Sequence, residues 1–145
     1  MLRVIAALTV VAVGATIVYA QNPDAITKRR DAMKQFGGAT KGPGAMIKGD
    51  APFELPKVQA SLKTIESTAI AGKTVFPDDS KVGTTDALPA AFDNKADLFA
   101  KFDKLAADAQ AAQAAVKDEG SFKAEWPKVV ANCGGCHKAY RKPKQ

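Results

Sequence analysis

Between Pro89 and Glu119 the apolar side chains Leu98, Phe102, Leu105, Ala109, Ala112 and Val116 recur in alternating steps of four and three. That period gathers all six on one stripe of an α-helix, and the stripe commits the chain to burying it against other helices. A second seam follows Pro56, a residue suited to the first turn of a helix. There Val58, Leu62, Ile65 and Ala69 share a face before Gly72 supplies a stop. The stretch from Asp24 to Lys48 carries Ile26, Met33 and Phe36 among charges. Gly37-Gly38 and Gly42-Pro43-Gly44 interrupt it, so a kink or early end is expected near Pro43. Beyond a break at Gly120-Ser121, Ser121 is expected to cap a last helix bearing Phe122, Trp126, Val129, Cys133, Cys136, His137 and Tyr140, with Pro127 either opening it or bending its first turns.

Residues 72 to 88 are rich in Gly, Pro, Asp, Ser and Thr and read as a loop from which Val75, Phe76 and Val82 fold back on the core. No segment alternates with period two. The fold class that follows is all-α, an antiparallel four-helix bundle.

The first twenty residues read differently. Met1-Leu2-Arg3 precedes an apolar or small run from Val4 to Val18, too short for the ~20 residues that cross a bilayer, and Val18 to Ala20 precede a plausible cleavage point. Residues 1–20 are expected to be a cleavable export signal, which puts residues 21–145 in the periplasm as one domain without a stable membrane anchor. The net charge is +6. Apart from Lys138, Arg141, Lys142 and Lys144 the basic residues are scattered, which suits docking to acidic redox partner proteins, or plain solvation, better than nucleic acid.

The chemistry lies in Cys133-Gly134-Gly135-Cys136-His137. Thiols three residues apart on a helical turn can reach both vinyl groups of a porphyrin as thioethers. The histidine after the second thiol then turns its imidazole to the iron, so the pattern is a c-type haem attachment site. The chain owns two cysteines and one histidine, too few for a structural zinc site. A thioredoxin-like dithiol would be expected beside a βαβ pattern, and a structural disulfide would not call for His137. On the same helical face, Tyr140 and Arg141 are expected to border the haem.

Cys133 to Arg141 resembles the C-x-x-C-H-x-x-[YF]-R ending of the class II c-type cytochromes, cytochrome c-prime and cytochrome c-556. Arg29-Arg30-Asp31-Ala32-Met33-Lys34 is similar to that family's first-helix segment, and Lys48-Gly49-Asp50-Ala51-Pro52-Phe53 to its first turn. The resemblance spans about residues 24 to 142. It implies one covalent haem c between the first and last helices, with Met33 as the second axial ligand opposite His137 and Arg29 against a propionate. Thioether sulfur is a good ligand for haem iron and favours electron transfer. Met46 lies beyond the Gly42-Pro43-Gly44 break and is not expected to bind. No acid, base or nucleophile set stands apart from the haem residues, so the expectation is an electron carrier, monomer or homodimer, and not an enzyme. The other expectation is a c-prime-like high-spin protein that binds nitric oxide or carbon monoxide.

Overall fold

The computed structural model describes residues 22–143; the expected export signal at residues 1–20 lies outside them. Asn22 opens the first helix, its side-chain oxygen accepting from the Ala25 N–H at 2.9 Å. Pro23 takes the first helical position, where its missing N–H leaves nothing unpaired. Helix α1 then runs Pro23–Lys48 and ends at Gly49, whose φ of 80° lets its N–H turn back on the carbonyls of Ala45 and Met46. The expected early end at Pro43 does not occur: α1 continues through Pro43, which is fully buried. Continuation seats Met46 and Ile47 on the core, and that burial offsets the backbone bond that proline removes.

Helix α2 spans Leu55–Gly72 and buries Val58, Leu62, Ile65 and Ala69 as their spacing demands. Two short 3-10 turns follow, Lys73–Val75 and Asp78–Ser80, and the chain then runs without regular structure to Pro89. Val75 and Phe76 are buried as expected. Val82 is not: it stands 49% exposed at the loop tip beside Gly83, whose φ is 112°.

The helix expected from Pro89 to Glu119 is divided and shorter. A single turn, α3, covers Ala90–Asp93; the backbone leaves helical angles at Asn94, and α4 runs Lys95–Ala115. Val116 is extended and ends α4, yet all six seam residues are buried. Asp118, not Ser121, caps the last helix, α5, Glu119–Tyr140. The Asp118 carboxylate accepts from the Ser121 N–H at 2.7 Å, and the Ser121 hydroxyl accepts from the Asp118 N–H at 3.0 Å, a reciprocal capping box. Gly120 and Ser121 therefore lie inside the first turn. Pro127 is also inside the helix, on its exposed side, where water can satisfy the carbonyl it leaves unpaired.

The four long helices make an antiparallel bundle in which α1 packs on α2, α2 on α4 and α4 on α5, while α1 and α5 lack a comparable packed seam. The rings of Phe53, Phe122 and Trp126 pack at tilted angles near the start of α5, with centroids 5.5 and 5.8 Å apart, and Phe76 packs on Phe92 and Phe102 toward the other end. Among the described residues no helix is long and apolar enough to cross a membrane.

Candidate cofactor site

A cavity of about 700 Å³ opens along the flank where α1 and α5 do not pack, within the range of about 300 to 1,000 Å³ usual for cofactor sites. Helix α1 lines it with Met33, Phe36 and Gly37, α4 with Leu98, Lys101 and Phe102, and α5 with Cys133, Cys136, His137 and Tyr140. Phe76, Thr85, Asp86 and Ala87 come from the connection between α2 and α3. The helical spacing of 133, 136, 137 and 140 accounts for their sharing this wall. Arg141 joins them from just past the helix, where its backbone is already extended and bridges to Ala87.

The side chains of Cys133 and Cys136 are half-buried, and burial pushes both thiols upward in pKa. Polar contacts hold α5 to α4 on both sides of them. Before the cysteines, Asn132 donates to Asp108 at 2.7 Å, and hydrogen bonds from Lys104 and then Asn132 hold the Asp108 carboxyl below its ordinary range. After them, the Tyr140 hydroxyl donates to Asp97, which raises the phenol to about 12 and lowers the Asp97 carboxyl.

The lining suits a flat apolar ring with acidic appendages. Its floor is Met33, Phe36, Phe76, Leu98, Phe102 and Leu105; five basic side chains, Arg29, Arg30, Lys34, Lys101 and Arg141, line it with the carboxylate of Asp86, and Lys34 and Lys101 are also paired with Asp31 at 3.0 Å and Asp97 at 3.5 Å. Gly37 lines the cavity, and a Cβ added there would meet nothing within 4 Å. Two thiols and an imidazole on one wall complete a donor set that fits haem c.

Of the residues singled out from the sequence, Met33, Cys133, Cys136, His137, Tyr140 and Arg141 meet at this cavity, and Met46 is buried away from it in the core. Arg29 also reaches the lining, but its terminal nitrogens are engaged by protein. Nη1 donates to the Val75 carbonyl at 2.7 Å and the Ser80 hydroxyl at 3.1 Å; Nη2 donates to the Ser80 carbonyl at 3.2 Å and the Thr85 hydroxyl at 2.9 Å. Pairing with a propionate would compete with these bonds. Sequence reasoning missed Lys101, Phe76 and the Thr85–Ala87 segment. Lys101 could have been found from its place beside the α4 seam, one turn after Leu98; the loop residues carry no periodic signal.

A cavity of this lining, with a C-x-x-C-H on the last helix of a four-helix bundle, defines a c-type haem protein of the bundle class. The family model described as Cytochrome C' matches residues 24–141, and the chain belongs to that family. It is 42% identical to a cytochrome c' of Rhodopseudomonas palustris over 99% of this chain and 98% of that one. It is 36% identical to a cytochrome c-556 of Agrobacterium tumefaciens over 80% of this chain and 95% of the other. The solved structure of cytochrome c' from Rhodopseudomonas palustris superposes with a TM-score of 0.82 at 44% identity, covering 84% of this chain and 98% of that one. Membership implies covalent haem c, and the sequence contains no cysteines other than Cys133 and Cys136.

Proposed function

We propose that the protein is a periplasmic carrier of single electrons, exported by residues 1–20, with haem c attached at Cys133 and Cys136 and its iron bound by His137 and Met33. The observation that carries this reading is that Met33 on α1 and His137 on α5 line one cavity from the two helices that flank it, with the paired thiols beside His137. When bound, the haem passes one electron between its ferric and ferrous forms. The chain's part is to ligate, to keep water out with Phe36, Phe76, Leu98 and Phe102, and to hold α5 in register through Asn132 and Tyr140. The basic side chains Arg30, Lys34, Lys101 and Arg141 give the mouth a positive field suited to propionates and to acidic partner proteins.

One observation favours a second reading. Two relatives match nearly the whole chain, and the cytochrome c' does so at 42% identity against 28% for a cytochrome c-556, which supports a five-coordinate iron that captures nitric oxide or carbon monoxide, with Met33 as a steric guard. Visible spectra of the reduced and oxidised holoprotein, with and without carbon monoxide, separate the two. The carrier reading requires a low-spin spectrum that ignores carbon monoxide and turns high-spin and responsive in Met33→Ala. A high-spin spectrum that shifts with carbon monoxide before any substitution overturns it in favour of the second.

A further inference from the structure

Helices α1 and α5 do not pack on each other broadly, yet they form the two walls of the cavity, so their separation rests on the α1–α2–α4–α5 packing and on whatever bridges them directly. The segment Ser80–Leu88 spans between them. On the α1 side, Arg29 holds it through the Ser80 carbonyl and hydroxyl and the Thr85 hydroxyl, and Arg30 donates to the Thr84 carbonyl at 2.6 Å. The Arg29 guanidinium is buried and lies 5.0 Å from the centroid of Phe76 and 5.4 Å from that of Phe92, which compensates part of its desolvation.

On the α5 side, the Leu88 N–H donates to the Tyr140 carbonyl at 2.9 Å and the Lys142 N–H to the Asp86 carbonyl at 2.8 Å. The Lys142 ammonium donates to the Thr85 carbonyl at 2.9 Å. Thr85 is thus the crossing point: its hydroxyl is held by α1 and its carbonyl by the chain leaving α5.

We propose that this segment is a spacer, with Arg29 and Thr85 as positioning residues that set how closely the Met33 face of α1 approaches the wall bearing His137. Arg29 sits one helical turn before Met33 on the same face, so a shift at its anchor is carried to Met33 by a rigid helix. A guanidinium with four charge-assisted bonds fixes distance and angle, where an apolar contact would fix only proximity. The proposal rests on haem c occupying the cavity, and it holds whether or not Met33 binds the iron.

The test uses haem-loaded protein and the variants Thr85→Val, which deletes the hydroxyl at nearly constant shape, and Arg29→Met. Gln59→Ala is the control. Gln59 donates to the carbonyls of Gln113 and Val116, outside the cavity lining, so its loss destabilises the bundle without touching the spacer. Three quantities are read: the thermal midpoint, the high-spin fraction of the ferric protein and the rate of carbon monoxide association with the ferrous protein. Thr85→Val and Arg29→Met should change the spin equilibrium or the association rate by about two- to thirtyfold, and Gln59→Ala should lower only the midpoint. If Thr85→Val matches the control in all three, the spacer is overturned; it decides alone if Arg29→Met does not fold. An unsubstituted protein that is high-spin and takes up carbon monoxide removes Met33 ligation but leaves the spacer to be judged by the association rate.

Discussion

The Tyr140 hydroxyl donates to the Asp97 carboxylate and so fastens the last turn of α5 to the first turn of α4, three residues beyond the imidazole of His137. The bond needs a protonated phenol and an ionised carboxyl, and each holds the other in that state. Tyr140 is raised from 10.0 to about 12, so its contribution to stability is complete below about pH 10 and fades as pH climbs toward 12. Asp97 is lowered from 3.8, so the same contact weakens again as pH falls below that value. Tyr140→Phe should therefore melt below the unsubstituted protein at neutral pH, with the difference closing at both extremes. Thermal midpoints of the pair from acid to alkali check this; a gap that stays constant to pH 12 contradicts it.

Gly72 ends α2 where the ring of Phe102 lies against its backbone. A Cβ there would come within 2.6 Å of Phe102 Cε1, and that ring is itself buried and packed on Phe76. The ring cannot swing away without disturbing the cavity floor. Gly72→Ala should cost about 1–3 kcal/mol despite the better helix propensity of alanine, as measured by denaturant unfolding. Because Phe102 lines the cavity, the haem-region spectrum should shift with it.

Phe122 has the opposite relation to the site. It is fully buried between Phe53 and Trp126 and is absent from the cavity lining. Phe122→Ala should cost about 3–5 kcal/mol from lost burial and the cavity left behind, and leave the visible spectrum of the folded fraction unchanged. A spectral change of the size expected for Gly72→Ala would mean that the two ends of the bundle are coupled.

The difference between what was legible in the sequence and what was not follows from range. The seams at Leu98 to Val116 and Val58 to Ala69 are local periodicities, and every member is buried. The Cys133, Cys136 and His137 wall is likewise set by one helix. Pro43 misled because its penalty is local while the compensation, burial of Met46 and Ile47, is tertiary. Asp118 and Ser121 are equally good capping residues in sequence, and only the reciprocal bond distinguishes the two. The resemblance implies a propionate partner for Arg29, but its protein acceptors are not legible: they lie at Val75, Ser80 and Thr85, on a loop without periodicity whose course depends on the finished bundle.

Met33 and Met46 sit on the same helix but in different surroundings, and conservative substitutions separate sulfur chemistry from packing. Met46 is 6% exposed and belongs to the core, whereas Met33 is half-buried and faces the cavity. Replacing either with leucine conserves volume, so each should cost less than about 1.5 kcal/mol. Only Met33→Leu removes a thioether from the cavity. If Met33 is the second axial ligand, that variant should turn the ferric protein high-spin, admit carbon monoxide and lower the reduction potential, while Met46→Leu keeps all three unchanged. Potentiometric titration of the two variants beside the parent protein measures the difference. Identical potentials and spectra across all three would assign Met33 to packing alone and leave the distal side of the iron without a protein sulfur.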